Sequence, residues 1–287
     1  MKKRIIFVIG LIMVLFSITG CTNDNLEGAT ITTTIYPVEY IVTRLYGYNS
    51  TVKSIYPNDA DTSKALKEKE IKTISKESNL FVYNGLGKEK EIAKSLLNEN
   101  KNLQIIDVAY GLKYTNGIEE LWLSPNNYIM LAATVNENLK ELSSNKYTAE
   151  TLDKNYKELE EEIATLDANL RSIGKAAQTN GKNTVVVAYN AFAFLSEYNF
   201  DIVNISEESN ITNSIKNKFK DKTYKYILVK DKKEVSDSVK DLVDNYNAEL
   251  IEVDTMETLT EAQRKNKDTY ISIMTEFINT LANKVLE

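Results

Sequence analysis

The chain of 287 residues contains no histidine, one cysteine and three prolines. Without imidazole, Ser-His-Asp and Cys-His catalytic arrangements are excluded, and the usual nitrogen ligand of zinc is missing. A single thiol permits no disulfide within the chain, so stability rests on packing. Glycine-rich phosphate loops are absent too. Gly85 and Gly87 fit neither GxGxxG nor GxxxxGK[ST] and read as a tight strand-to-helix turn. No basic block exists and the net charge is −6, which argues against a nucleic-acid partner. No paired-carboxylate motif stands out, and no enzyme is expected.

What is present looks globular. Apolar content is 43% and charged content 26%, near the norm for folded soluble domains. The length suffices for two modest cores. The first residues read as a targeting segment to be set aside before fold reasoning. Lys2, Lys3 and Arg4 precede a short apolar run, Ile5 to Ile18, below the ~20 residues of a spanning helix. The run ends at Ile18-Thr19-Gly20-Cys21, which looks like a bacterial lipobox with Cys21 as the lipidated residue. Residues 1–20 are therefore expected to be a lipoprotein signal peptide and 21–28 a tether. The mature protein is expected to be extracytoplasmic and anchored, not membrane-spanning.

The organising stretch is Thr148 to Ile173. Its apolar residues are Leu152, Tyr156, Leu159, Ile163, Leu166, Leu170 and Ile173. Alternating spacings of three and four predict one amphipathic helix, roughly 39 Å long at ~1.5 Å per residue. A coiled-coil seam is the weaker alternative, with too few heptads. The helix reads as a strut joining two α/β halves.

Before it, β-branched or apolar runs at Ala29–Ile35, Thr51–Ile55, Asn79–Tyr83 and Leu103–Val108 alternate with helical periods, one of them opening near Ser63. After it, strands at Thr184–Ala188, Ile202–Val203, Tyr224–Val229 and Leu250–Val253 alternate with helices, including Ala191–Glu197, and Asp268–Leu286 closes the chain. Repeated β-α-β predicts two Rossmann-like lobes, each a parallel sheet flanked by helices. The expected segments are an N-terminal lobe over 29–147, the interlobe helix over 148–178 and a C-terminal lobe over 179–287. A cleft between lobes is where a small ligand is expected.

Five stretches in order carry a resemblance: TTIYP (33–37), SIYPNDAD (54–61), FVYNGLG (81–87), LWLSP (121–125) and VVVAYNAFAFL (185–195). Together they resemble the solute-binding lipoproteins of zinc- and manganese-type ABC importers. The resemblance implies metal capture in the interlobe cleft, delivery to an ABC permease and its ATPase, and a monomer. It also implies a ligand set of three histidines and one acid. By position these fall on Ser63, Glu120, Tyr189 and Asp254, so only the acid survives. Oxygen donors suit Mn²⁺, Ca²⁺, Mg²⁺ or, through a tyrosinate, Fe³⁺, while the family implies Zn²⁺ or Mn²⁺. Each residue also has a structural role open to it, Ser63 as a helix cap and Asp254 as a loop cap. Two alternatives remain open. One is an organic solute held by Tyr189, Phe192 and Trp122; the other is a surface adhesin or interaction protein with no solute.

Overall fold

The computed structural model describes residues 26–286. The expected signal peptide and Cys21 lie outside the described residues. The expected tether over 21–28 does not extend to its end: Leu26 is buried in the core and the Gly28 N–H donates to the Asn49 carbonyl at 2.8 Å, so these residues belong to the first lobe. Two four-stranded sheets form, both wholly parallel, and both built in the same order. The first contains β1 (Thr30–Thr33), β2 (Thr51–Ser54), β3 (Leu80–Tyr83) and β4 (Gln104–Asp107), ordered β2-β1-β3-β4. The second contains β5 (Thr184–Val187), β6 (Asp201–Asn204), β7 (Tyr226–Val229) and β8 (Glu249–Glu252), ordered β6-β5-β7-β8. Central strands β3 (LFVY) and β7 (YILV) are buried at every position, as strands covered by helices on both faces must be. Each such Leu, Val, Ile or Phe contributes about 1.5–3 kcal/mol of burial free energy.

The first lobe carries α1 (Tyr36–Tyr46), α2 (Glu68–Glu77), α3 (Glu89–Glu99), the short α4 (Glu120–Leu123) and α5 (Pro125–Leu142). Pro37 and Pro125 each sit in a first helical turn, where the missing N–H has no intrahelical role. The predicted strut is α6 (Lys146–Thr179), 34 residues and about 51 Å long. Asn145 caps it, its side chain accepting from the Tyr147 N–H at 2.9 Å. Leu152, Leu159, Ile163, Leu166 and Leu170 are buried, while Tyr156 and Ile173 are half-buried at the edges of the stripe.

The strut touches both halves. Near the first lobe Arg44 of α1 grips Glu162 with two hydrogen bonds of 2.7 and 2.8 Å. Near the second lobe Gly174 lies against the backbone at Tyr198, where an added Cβ would stand 1.7 Å from the carbonyl oxygen. The remaining elements are a 3₁₀ helix (Asn190–Tyr198), α7 (Asn213–Lys220), α8 (Asp237–Tyr246), α9 (Glu261–Asn266) and α10 (Tyr270–Leu286), with a short 3₁₀ turn at Glu208–Asn210. Helix α10 packs along α6.

Three local expectations change. Helix α2 begins at Glu68 rather than near Ser63, because Glu70 reaches back to the Lys67 N–H at 2.6 Å and fixes the start there. The predicted helix over 191–197 is the tighter 3₁₀ form and stops at Asn199, which adopts φ +65. A helix not foreseen, α9, lies within 254–269. This strap leaves β8 and crosses back to the first lobe. Along it the Tyr36 N–H donates to the Glu257 carbonyl at 2.9 Å, the Asp59 N–H to the Leu259 carbonyl at 2.9 Å, and the Trp122 indole to the Thr255 carbonyl at 2.7 Å.

Candidate cation site between the lobes

In open parallel sheets, ligands meet the protein beyond the carboxyl ends of strands where the strand order reverses. In the second sheet that point lies between β5 and β7. Tyr189 follows β5 and Lys230 follows β7 immediately, so both side chains emerge there. Two carboxylates meet the Lys230 ammonium. Glu257, from the strap, is ion-paired to it directly, and Glu119, from the turn before α4, approaches to 3.6 Å. The Tyr189 hydroxyl donates to the same Glu119 oxygen, and its ring centroid lies 5.1 Å from the ammonium. The second Glu257 oxygen accepts from the Thr62 hydroxyl at 2.5 Å. Contacts Tyr189–Glu119, Lys230–Glu119 and Thr62–Glu257 all join the first lobe to the C-terminal part of the chain.

Local structure explains these directions. Gly117 has φ +148, a region open to glycine, and its Cα approaches Ala191 so closely that a Cβ would sit 3.2 Å from that methyl. The turn it permits presents Glu119 to the cleft. Glu257 is presented by a different device. Asp254 accepts from the Met256 N–H at 2.7 Å, an Asx turn that holds buried Met256 at φ +56.

Burial alone would lower the Lys230 ammonium's pKa. The hydrogen bond and charge of Glu257, with the charge of Glu119, outweigh that and hold it above the ordinary lysine value. For Glu257 burial works upward, but the bonds from Lys230 and Thr62 bring the carboxyl below its ordinary value. Tyr189 is pushed far above 10 by burial and by its bond to the Glu119 carboxylate, so it serves as a neutral donor. A cavity of about 220 Å³ adjoins the cluster, lined by Thr62, Glu89, Glu119, Ile118, Trp122 and Glu257 among others. Glu89 is buried there, and that burial raises its carboxyl pKa.

The structure does not bring Ser63, Glu120, Tyr189 and Asp254 to one point. Only Tyr189 faces the cleft. Glu120 follows Glu119 in a helical turn, where neighbours project about 100° apart. Its carboxylate accepts from the Asn116 N–H and side-chain amide, both at 3.0 Å, and closes the 115–120 loop. Asp254 binds the Gln263 amide at 2.6 Å and lines a separate cavity of about 310 Å³ with Asp268 and Glu276. Ser63 is exposed and donates to Asp61 at 2.5 Å. Among the described residues, no three His, Cys, Asp or Glu side chains are grouped to hold a metal ion. The cleft residues missed in the sequence are Thr62, Glu119, Lys230 and Glu257. The one available signal was a lysine placed directly after the wholly apolar strand YILV.

Fold and cleft define a bilobal α/β protein with a cluster of charged side chains between its halves. The ZnuA family, the periplasmic component A of the zinc-uptake complex, matches residues 31–284, and the chain belongs to that family. A Thermotoga maritima protein named only provisionally as metal-binding is 29% identical over 181 residues, which is 62% of this chain and 65%, just under two thirds, of that relative. The fold is that of the zinc(II)-bound ZnuA-like domain of Streptococcus pneumoniae AdcA, with a TM-score of 0.71 and 20% identity over 90% of this chain and 99% of that one. It is equally that of the metal-dependent lipoprotein YcdH of Bacillus subtilis, with a TM-score of 0.74 and 20% identity over 89% and 98%. No described helix is long and apolar enough to cross a membrane.

Proposed function

We propose that this protein is the extracytoplasmic solute-binding lipoprotein of a metal-type ABC importer. Lipid on Cys21 anchors it, and the few residues between Cys21 and the buried Leu26 join the lipid to the folded body. A divalent metal ion is captured in the interlobe cleft and passed to the permease and its ATPase. One observation carries this reading: Glu119 and Glu257 converge from separate parts of the chain on a single cationic group. Family membership supports the transport role, and the lipoprotein name of the Bacillus subtilis relative agrees with the Cys21 assignment. A cavity of about 220 Å³ is small for an organic solute, which usually takes ~300–1,000 Å³, and ample for an ion with some water. Oxygen donors without imidazole or thiolate favour a hard ion such as Mn²⁺ over Zn²⁺.

The test is the metal content of cells that make or lack the chain, under metal limitation. Lower manganese without it, restored by wild type but not by a Glu119→Gln/Glu257→Gln variant, is the expected result. Unchanged manganese and zinc would sink the cargo assignment. A Cys21→Ser variant should appear in the medium instead of the membrane fraction. A second reading, an interaction protein that keeps the fold without a solute, is favoured by Glu120 turning away from the cleft and by Lys230 filling it. Under that reading, removing both carboxylates leaves cell metal unchanged.

A further inference from the structure

The cleft already contains a cation, and it belongs to the protein. The Lys230 side chain pairs with Glu257 and Glu119, and stands over the Tyr189 ring, at the place where acids from the two sides converge. Among the described residues no other cation is ion-paired to those two carboxylates, although the charge of Lys88 also acts on Glu257. Lys88 lies 5.4 Å over the Tyr56 ring on the other side of the cavity, and buried Glu89 adds a further acid. The Tyr56 hydroxyl is buried without a hydrogen-bond partner and feels the charges of Glu89 and Glu257.

We propose that the Lys230 ammonium is a tethered counter-ion that occupies the cation position of the cleft and must be displaced before an external cation can enter. Two observations support displacement. First, a second cavity of about 280 Å³ flanks Lys230 on its own lobe, lined by Ser206, Asp231, Glu234 and Ser236, so the side chain has an acidic place to turn into. Second, the Lys230 side chain is 38% exposed and therefore not enclosed by packing on every side. With Lys230 in place, the lobes are joined across the cleft by charge. When it leaves, two carboxylates face an ion whose double charge matches theirs. Affinity for an external ion is then reduced by the fraction of time the lysine is away, which gives the permease a means to drive release.

This inference rests on the cargo assignment above but fails separately from it. Metal-stripped, untagged residues 22–287 are titrated calorimetrically with Mn²⁺ and with Zn²⁺, as wild type, Lys230→Met and Lys230→Met/Glu257→Gln. The double variant keeps the charge nearer balance and serves as the folding control. Lys230→Met is expected to bind one equivalent of Mn²⁺ about 100-fold more tightly than wild type. The double variant should lose that gain. If Lys230→Met unfolds without ions, Mn²⁺ should restore its melting transition while leaving the double variant unchanged. Equal affinity of wild type and Lys230→Met, or no binding by Lys230→Met, overturns the tethered-ion inference. A silent wild type beside a binding Lys230→Met leaves the inference standing and removes the metal cargo instead.

Discussion

Gly174 in the strut offers a sharp test of how firmly α6 joins the halves. A glycine-to-alanine change inside a long helix ordinarily stabilises by about 1 kcal/mol, because alanine loses less backbone freedom. Here the new methyl would meet the Tyr198 carbonyl oxygen at 1.7 Å, its carbon at 2.9 Å and the Phe200 ring at 3.2 Å. The two closest contacts are with backbone, which cannot rotate aside. Tyr198 is also fastened to the same helix, its hydroxyl donating to Asp167 at 2.9 Å and its ring lying 4.8 Å from the Arg171 guanidinium. Relief demands that the helix and the 198–200 segment part by more than an ångström, and overpacking of this kind costs about 1–3 kcal/mol or more. The clash wins. With the cost at its upper end, Gly174→Ala should be net destabilised by about 2 kcal/mol, a melting-point loss of about 4–8 °C for a protein of this size. Far-UV circular dichroism melts would read it. Gly181→Ala is the control: that residue has φ +65 with nothing within 4 Å, so left-handed strain of about 1–2 kcal/mol is the whole cost, and the lower unfolded-state entropy of alanine offsets part of it, leaving a loss of about 1 kcal/mol or less. A Gly174→Ala protein as stable as wild type would refute the view of α6 as a tightly seated strut.

Other consequences follow from single contacts. Asp254→Asn keeps an acceptor for the Met256 N–H and should leave cation affinity nearly unchanged, whereas Asp254→Ala should weaken it by releasing Glu257; equal loss in both would instead make Asp254 a ligand. Glu257 has a depressed pKa in the folded protein, so its pairing stabilises above the ordinary value of 4.5 and is lost as pH falls through the lower folded value. The melting-point gap between wild type and Glu257→Gln should therefore narrow below about pH 4.5, and a gap independent of acidification would contradict the pairing. Trp122→Phe leaves the buried Thr255 carbonyl without its indole donor, a cost of about 1–3 kcal/mol in urea unfolding followed by circular dichroism.

The architecture was legible because its signals are long or repeated. Seven apolar positions on one stripe foretold α6, and buried runs such as LFVY and YILV between helical periods foretold parallel sheets. Helix α9 was invisible to periodicity, since its six residues include no buried one. Only its capping box, Thr260 with Gln263, marked it. The site was less legible for a different reason. Position-by-position transfer put Tyr189 in the cleft, because it follows a strand whose register is fixed. In turns the acids that reach the cleft are Glu119, one residue before Glu120, and Glu257, three after Asp254, because a single helical step or an Asx turn redirects the next side chain. Lys230 had no counterpart in the expected ligand set. Its role is set by what converges on it, and convergence from distant segments is not written in local spacing.

The most direct measurement is a crystal structure of the protein grown with Mn²⁺ and examined for anomalous scattering. The account predicts one peak in the interlobe cleft within about 2.6 Å of an oxygen of both Glu119 and Glu257, with Lys230 turned toward Asp231 and Glu234. A cleft without a peak and with Lys230 still paired to Glu257, or a peak beside Asp254 in the outer cavity, would contradict it.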